Sequence, residues 1–202
     1  MRGFGKLAGT GIAPKVAVSL ALVGVAGAAA GLGTLSAFSG TTSNAGNTFA
    51  SGTVAIGDND AGAAMYSVSG ARPGDSVSRC IKLTYTGSLD ADVKLYTPEP
   101  VGPGGQYVDL TFTPGTQATS TFPSCTGFTP AAGGAVYTGT LGAWAAARNS
   151  HANGLATTPA GAAKWSQNAA VVYQLTLTQR DDNAAQGLTS GAHSFVWEAR
   201  NQ

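Results

Sequence analysis

The sequence predicts an all-β protein, a jelly-roll-type antiparallel β-sandwich with a short helical insertion, preceded by a signal peptide. Three observations lead to this prediction. Apolar residues recur at every second position in several short runs, turn-forming residues separate those runs, and an uncharged apolar segment follows a basic N-terminus. Each run has one apolar face, so two sheets packed face to face bury the surface that a single sheet exposes.

The N-terminal segment predicts export. Arg2, Lys6 and Lys15 precede a stretch without any charge that runs to Phe38, and the small residue Ala37 stands at a suitable cleavage position. Residues 1–37 are therefore predicted to be a signal peptide, cleaved between Ala37 and Phe38. The alternative is a retained membrane anchor, which the glycines in the second half of the segment disfavour.

Composition and net charge limit the classes of partner that the chain is expected to bind. Charged residues are 10% and hydrophobic residues 43% of the chain, which excludes a disordered polyampholyte. Cleavage removes three of the 11 basic residues and leaves 8 against 10 acidic residues, a net charge of −2. We therefore expect no nucleic-acid partner and, after cleavage, no membrane partner.

Alternation and turn signals place the strands. Apolar and polar residues alternate at 77–85, 91–96, 108–112, 171–178 and 194–200, and adding 49–56 and 64–68 gives seven or eight strands. Turn signals separate them at 72–75, 87–88, 102–105 and 181–187. The spacing is typical of a sandwich.

An Ala-rich stretch interrupts the strand pattern between Leu141 and Trp165. Trp144 and the three alanines that follow it predict a short helix that lays Trp144 against the edge of the sandwich. A capping segment of the core is favoured here over a ligand-binding loop.

The two cysteines predict one disulfide in an exported protein. Cys80 and Cys125 are 45 residues apart, and closing a loop of that length stabilises a fold by about 4 kcal/mol in the chain-entropy model. The alternative of a redox or catalytic thiol lacks a CxxC motif or a nearby histidine in the sequence.

No enzyme motif stands out. The sequence lacks HExxH, GxSxG and phosphate-loop patterns, so neither catalytic residues nor a cofactor are predicted. Asp58 and Asp60 begin like a calcium loop, but the glycine comes one position early and Ser69 stands where a closing glutamate belongs. A turn is favoured over a metal site there. His151 and His193 are predicted to be solvated polar residues, with a shared metal site as the alternative.

Several motifs together carry a family resemblance. They are Thr34–Phe38 followed by Asn47–Val54, then RPGDSV at 72–77, TGSL at 86–89, and the C-terminal stretch from Gln186 to Ala199. In order and spacing they resemble the TasA/camelysin family, whose members carry a signal peptide cut by a dedicated SipW-type signal peptidase. Residues 98–169 carry no motif that matches.

The resemblance implies a secreted jelly-roll subunit of an extracellular surface or biofilm-matrix fibre. Partners are then further copies of the chain and, during export, the signal peptidase. Residues 38–48 become an N-terminal arm, a donor strand for the next subunit, ahead of a jelly-roll domain at 49–202. Polymerisation is expected to involve Phe38, Thr48, Phe49 and Val54, because a strand added to an open sheet edge pairs its free backbone groups. The family is also known for a metal-dependent peptidase, an activity not predicted here because no zinc motif is present. A monomeric surface adhesion module is the third alternative.

Overall fold

A computed structural model describes residues 51–201 of the chain. The predicted signal peptide, its cleavage site at Ala37 and Phe38, and the arm of residues 38–48 lie outside the described residues, as does Phe49. None of the described helices is long and apolar enough to span a membrane.

The described residues are mostly β, as predicted. Nine strands and one α-helix occur between residues 51 and 201, with short 3-10 turns at Pro103–Tyr107 and Asn183–Ala185. In chain order they are β1 Ile56–Asp58, β2 Ser76–Tyr85, β3 Asp92–Tyr96, β4 Val108–Gln117, β5 Phe128–Pro130, β6 Tyr137–Thr140, α1 Leu141–Ala147, β7 Leu155–Thr157, β8 Ala170–Gln179 and β9 Val196–Arg200.

The strands form two antiparallel sheets. The large sheet has the order β1–β2–β8–β4, and both β5 and β6 pair with the remaining edge of β4. The small sheet has the order β7–β3–β9. Buried residues of β3 share clusters with those of β2, β4 and β8, so the two sheets pack face to face. This confirms the antiparallel all-β fold; the jelly-roll connection pattern stays a prediction.

The predicted apolar stripes supply the core. Ile81, Leu83 and Tyr85 of β2 and Val93 and Leu95 of β3 are each at most 1% exposed. The apolar stripe of β8, the neighbour of β2 in the large sheet, belongs to the same clusters. Helix α1 also forms where predicted: the Thr140 hydroxyl accepts from Ala143 N–H at 3.1 Å and caps it, and Trp144 is fully buried.

Two predicted strands differ from the structure. Residues 64–68 form no strand, so that prediction is wrong. The predicted strand at 49–56 reaches strand geometry only at Ile56. Strand β2 ends at Tyr85, so the residues before Ile56 bond to the turn that follows β2. The Thr53 carbonyl accepts from Leu89 N–H at 3.1 Å, and the Ala55 carbonyl accepts from Thr86 N–H at 2.9 Å.

Three short strands were not predicted, and β4 is longer than predicted. It continues past Phe112 to Gln117 although residue 114 is proline. Pro114 lies in the gap between the part of β4 that pairs with β6 and the part that pairs with β5, where its missing N–H leaves no ladder bond broken. The strands β5, β6 and β7 have only three or four residues each, too few for alternation to mark them.

Candidate strand-accepting edge

The outer side of β9 is an open sheet edge. The neighbour of β9 in the sheet is β3. Ala91, the residue directly before β3, exchanges backbone hydrogen bonds with Trp165 on the side away from β9. By the alternation of an antiparallel ladder, Asp92, Lys94 and Tyr96 therefore bond to β9, and the backbone groups of Trp197 and Ala199 point outward. Within residues 51–201 no strand pairs with this side of β9. The small sheet thus offers backbone donors and acceptors to an additional strand.

The side chains behind this edge are apolar. Trp197 and Ala199 are half-buried and pack on the core cluster that contains Tyr85 and Tyr173. The indole Nε1 of Trp197 is buried and has no hydrogen-bond partner among the described residues. A buried N–H without an acceptor costs free energy, so Trp197 contributes an unsatisfied donor to the core behind this edge.

A cavity of about 490 Å³ adjoins the edge. Residues 63–68 line one side of it, and the segment from Thr189 through Phe195 to Trp197 lines the other. The same cavity brings Asp58, Asp60 and His193 together, which the sequence did not predict. His151 does not line this cavity.

Both ring nitrogens of His193 have hydrogen-bond partners. Its Nδ1 lies 3.0 Å from the carbonyl oxygen of Gly191, which can only accept, so Nδ1 carries the hydrogen. Nε2 is then the acceptor for the Tyr66 hydroxyl. The ring packs edge-on against Phe195 with centroids 5.7 Å apart. His193 is therefore a structural contact of the cavity wall, partly buried rather than fully solvated as predicted.

Asp58 and Asp60 form the predicted turn. Asp58 Oδ1 accepts from the N–H of Asp60 at 3.1 Å, and Asp60 Oδ1 accepts from the N–H of Gly62 at 2.6 Å. Ala61 and Gly62 both have positive φ, 54° and 79°, as in a type I′ turn. Burial raises the pKa of the Asp58 carboxyl. Across residues 51–201 no group of three or more His, Cys, Asp or Glu side chains is placed to hold a metal ion.

His151 contradicts the prediction of a solvated residue. It lies between α1 and β7 and is only 6% exposed, with Nε2 buried and unpartnered among the described residues. The prediction failed because the loop folds onto β3: Gly154 packs against Lys94 so closely that a side chain there would meet its Cβ at 3.0 Å. Burial, and next the nearby Arg200 charge, lower the pKa of His151.

The chain enters the sandwich beside the open edge. Of the four residues predicted to serve polymerisation, Val54 alone is described; it is half-buried and packs on the same core cluster as Trp197 and Ala199. Strand β1, which follows, lies against β9. The segment preceding Val54 therefore begins at the corner where the small sheet is incomplete.

The outward side of β2, which β1 pairs only at its end, is covered. Cys80 and Cys125 form the predicted disulfide, which ties the loop around Pro123 to this strand. The Pro123 carbonyl accepts from the N–H of Cys80 at 3.1 Å, and the Asn59 side chain accepts from the N–H of Lys82 at 2.8 Å. These outward backbone groups are satisfied without a neighbouring strand.

Comparison with known proteins gives one family. Residues 8–104 match the protein family described as camelysin metallo-endopeptidase. This range includes β1, β2 and β3 and the turns whose motifs carried the resemblance. A comparison with curated proteins finds no match.

Proposed function

The chain belongs to the camelysin/TasA family, and from that premise we propose that it is a secreted structural subunit of an extracellular surface or biofilm-matrix fibre. Subunits assemble head to tail: the N-terminal arm of one copy, residues 38–48, adds a strand to β9 of the next. A head-to-tail contact that does not close on itself produces a filament. The partners are further copies of the same chain and, during export, the signal peptidase.

The single observation that carries the proposal is the unpaired edge of β9. The small sheet has three strands among the described residues, and β9 ends it without a partner. A donated strand supplies the fourth and pairs the outward groups of Trp197 and Ala199. Eleven extended residues span about 36 Å and the five residues of β9 about 17 Å, so the arm has length to cover the edge and to reach it.

The test uses the mature protein beginning at Phe38 and a matched form that lacks residues 38–47. We expect filaments in electron micrographs of the first and soluble, folded monomers of the second. A synthetic peptide of residues 38–54 should block growth of the intact protein by occupying β9. Filaments that persist after the deletion contradict assembly through the arm. If the intact protein shows no growth in light scattering, the adhesion-module alternative replaces the fibre.

A metal-dependent peptidase is the second candidate. It is favoured by the description of the matching family and by the shared cavity of Asp58, Asp60 and His193. Replacing both His151 and His193 by alanine should abolish any proteolysis that the purified protein shows. Unchanged proteolysis excludes the histidines, and the further substitution Asp58→Asn with Asp60→Asn then tests the carboxylates.

A further inference from the structure

Residues 63–68 lie beside β9 without pairing to it. The segment is largely apolar, AAMYSV, yet it forms no ladder with any described strand. A cavity of about 490 Å³ lies on one side of them and one of about 670 Å³ on the other, and Tyr66 and Val68 line both. This segment has cavities beside it and no strand partner, whereas each of the other predicted strands pairs at least in part.

The segment is bounded by residues that suit a hinge. Gly62 and Gly70 have φ of 79° and 63°, in the left-handed region that glycine adopts at little cost. A Cβ added at either position meets nothing within 4 Å, so no neighbouring atoms crowd these two glycines. Val68 is 54% exposed, the largest exposure among the large hydrophobic residues described as exposed.

One side chain fastens the segment to the wall of the open edge. The Tyr66 hydroxyl donates to Nε2 of His193, whose ring orientation is set by Gly191. The Tyr66 ring also contacts Phe195, with centroids 6.5 Å apart. Burial raises the pKa of Tyr66, so the hydroxyl keeps its proton as a donor throughout the neutral range. Met65 packs on both core clusters close to Trp197.

We propose that residues 63–68 are a latch, which closes the approach to β9 in the free subunit and swings aside about Gly62 and Gly70 when a strand adds. The proposal rests on the proposed function and names how strand addition is controlled. The latch faces Phe195 and Trp197 across the cavity that an incoming strand must enter. Its only described hydrogen bond to that wall is made by the Tyr66 side chain, so it can leave without breaking a backbone ladder.

The test is seeded filament growth of Tyr66→Phe and His193→Ala proteins. Each loses the same hydrogen bond, and elongation from fixed wild-type seeds should become about 2- to 10-fold faster, the range that one net hydrogen bond corresponds to. The double variant should gain no more than either single one, because both act on one interaction. Tyr96→Phe is the matched control: it removes a tyrosine hydrogen bond to Glu198, also next to β9 but on the outer face, and should not change growth.

Hydrogen exchange of the unassembled protein separates the two ideas. Amides of residues 63–68 should exchange faster in Tyr66→Phe than in the wild type, with β2 and β8 unchanged. Equal exchange, or slower or unchanged filament growth in both variants, overturns the latch while leaving the fibre proposal intact. Absence of filaments from the wild-type protein overturns the fibre proposal, and the latch with it.

Discussion

The strands β2 and β9 each have a side that is wholly or partly without a strand partner, and the two treat their outward backbone groups in opposite ways. On β2, the outward N–H groups of Cys80 and Lys82 are taken by Pro123 and Asn59, and β1 pairs with the end of the strand. On β9, the outward backbone groups of Trp197 and Ala199 have no strand partner among the described residues, and Trp197 lines a cavity. Exposed edges invite strand addition, and proteins that stay monomeric cover them.

The outward side of β2 is therefore covered, while that of β9 has no strand partner among the described residues. The cover on β2 is held covalently by the disulfide, and it is extended by Asn59, which donates to the Ser120 hydroxyl of the same loop at 3.1 Å. On the β9 side the latch provides a side-chain contact alone. In the proposed assembly the same contact at β9 repeats from one copy to the next, which produces a linear filament.

The largest expected effect comes from Ala199→Pro. The N–H of Ala199 points away from β3, so proline removes no bond of the folded subunit, but it cannot donate to an added strand. Filaments should be lost while the unfolding midpoint of the monomer changes little. The matched control is Ser78→Pro, at an outward position of β2, which should assemble normally. Equal assembly of the two variants in electron micrographs contradicts the assignment of β9 as the acceptor.

Sequence alone predicted the parts of this comparison that follow a period of two. The stripes of β2, β3 and β8 were predicted correctly because each is long and buried on one face. Residues 64–68 lack that alternation and were wrongly predicted to be a strand. The adjacent Met65 and Tyr66 both pack against the core, which a strand with one buried face does not allow.

The state of each edge could not be predicted. Whether β9 stays unpaired depends on the order of strands in the small sheet, which arises from contacts between residues about 100 positions apart. The cover on β2 depends on Asn59 and Pro123, residues that read locally as turn formers. The disulfide could be predicted because disulfides form in the oxidising compartments to which exported proteins go, and two cysteines allow one intramolecular pairing. Its role at a sheet edge required the structure.

The second prediction removes the cover from β2. Replacing Cys80 and Cys125 together by serine should lower the free energy of unfolding by about 4 kcal/mol, since a loop of 45 residues is no longer closed. It should also free the loop around Pro123, so that the form lacking residues 38–47 associates through β2, visible as light scattering well below its unfolding midpoint in urea. A variant that loses the stability but stays monomeric shows that the disulfide serves stability alone.

The third prediction, a small change in stability, concerns Glu198 on the solvent-facing face of the small sheet. Glu198 accepts from Arg200 and Tyr96, each at 2.7 Å, and these hydrogen bonds, with that of Arg200 foremost, lower the pKa of its carboxyl. A carboxyl whose pKa is lower in the folded state stabilises the fold above its unfolded pKa of about 4.3, and loses that contribution as the pH falls through the folded value. Glu198→Gln should therefore reduce the unfolding midpoint slightly at pH 7 and flatten its fall below about pH 4.3, both measured by thermal unfolding at a series of pH values. The change is small because exposed ion pairs contribute little to stability.

Filament growth of Glu198→Gln at neutral pH should stay at the wild-type rate. The side chain projects from the face of the sheet, while strand addition uses the backbone of the neighbouring Trp197 and Ala199. Slower growth would mean that assembly also involves this face.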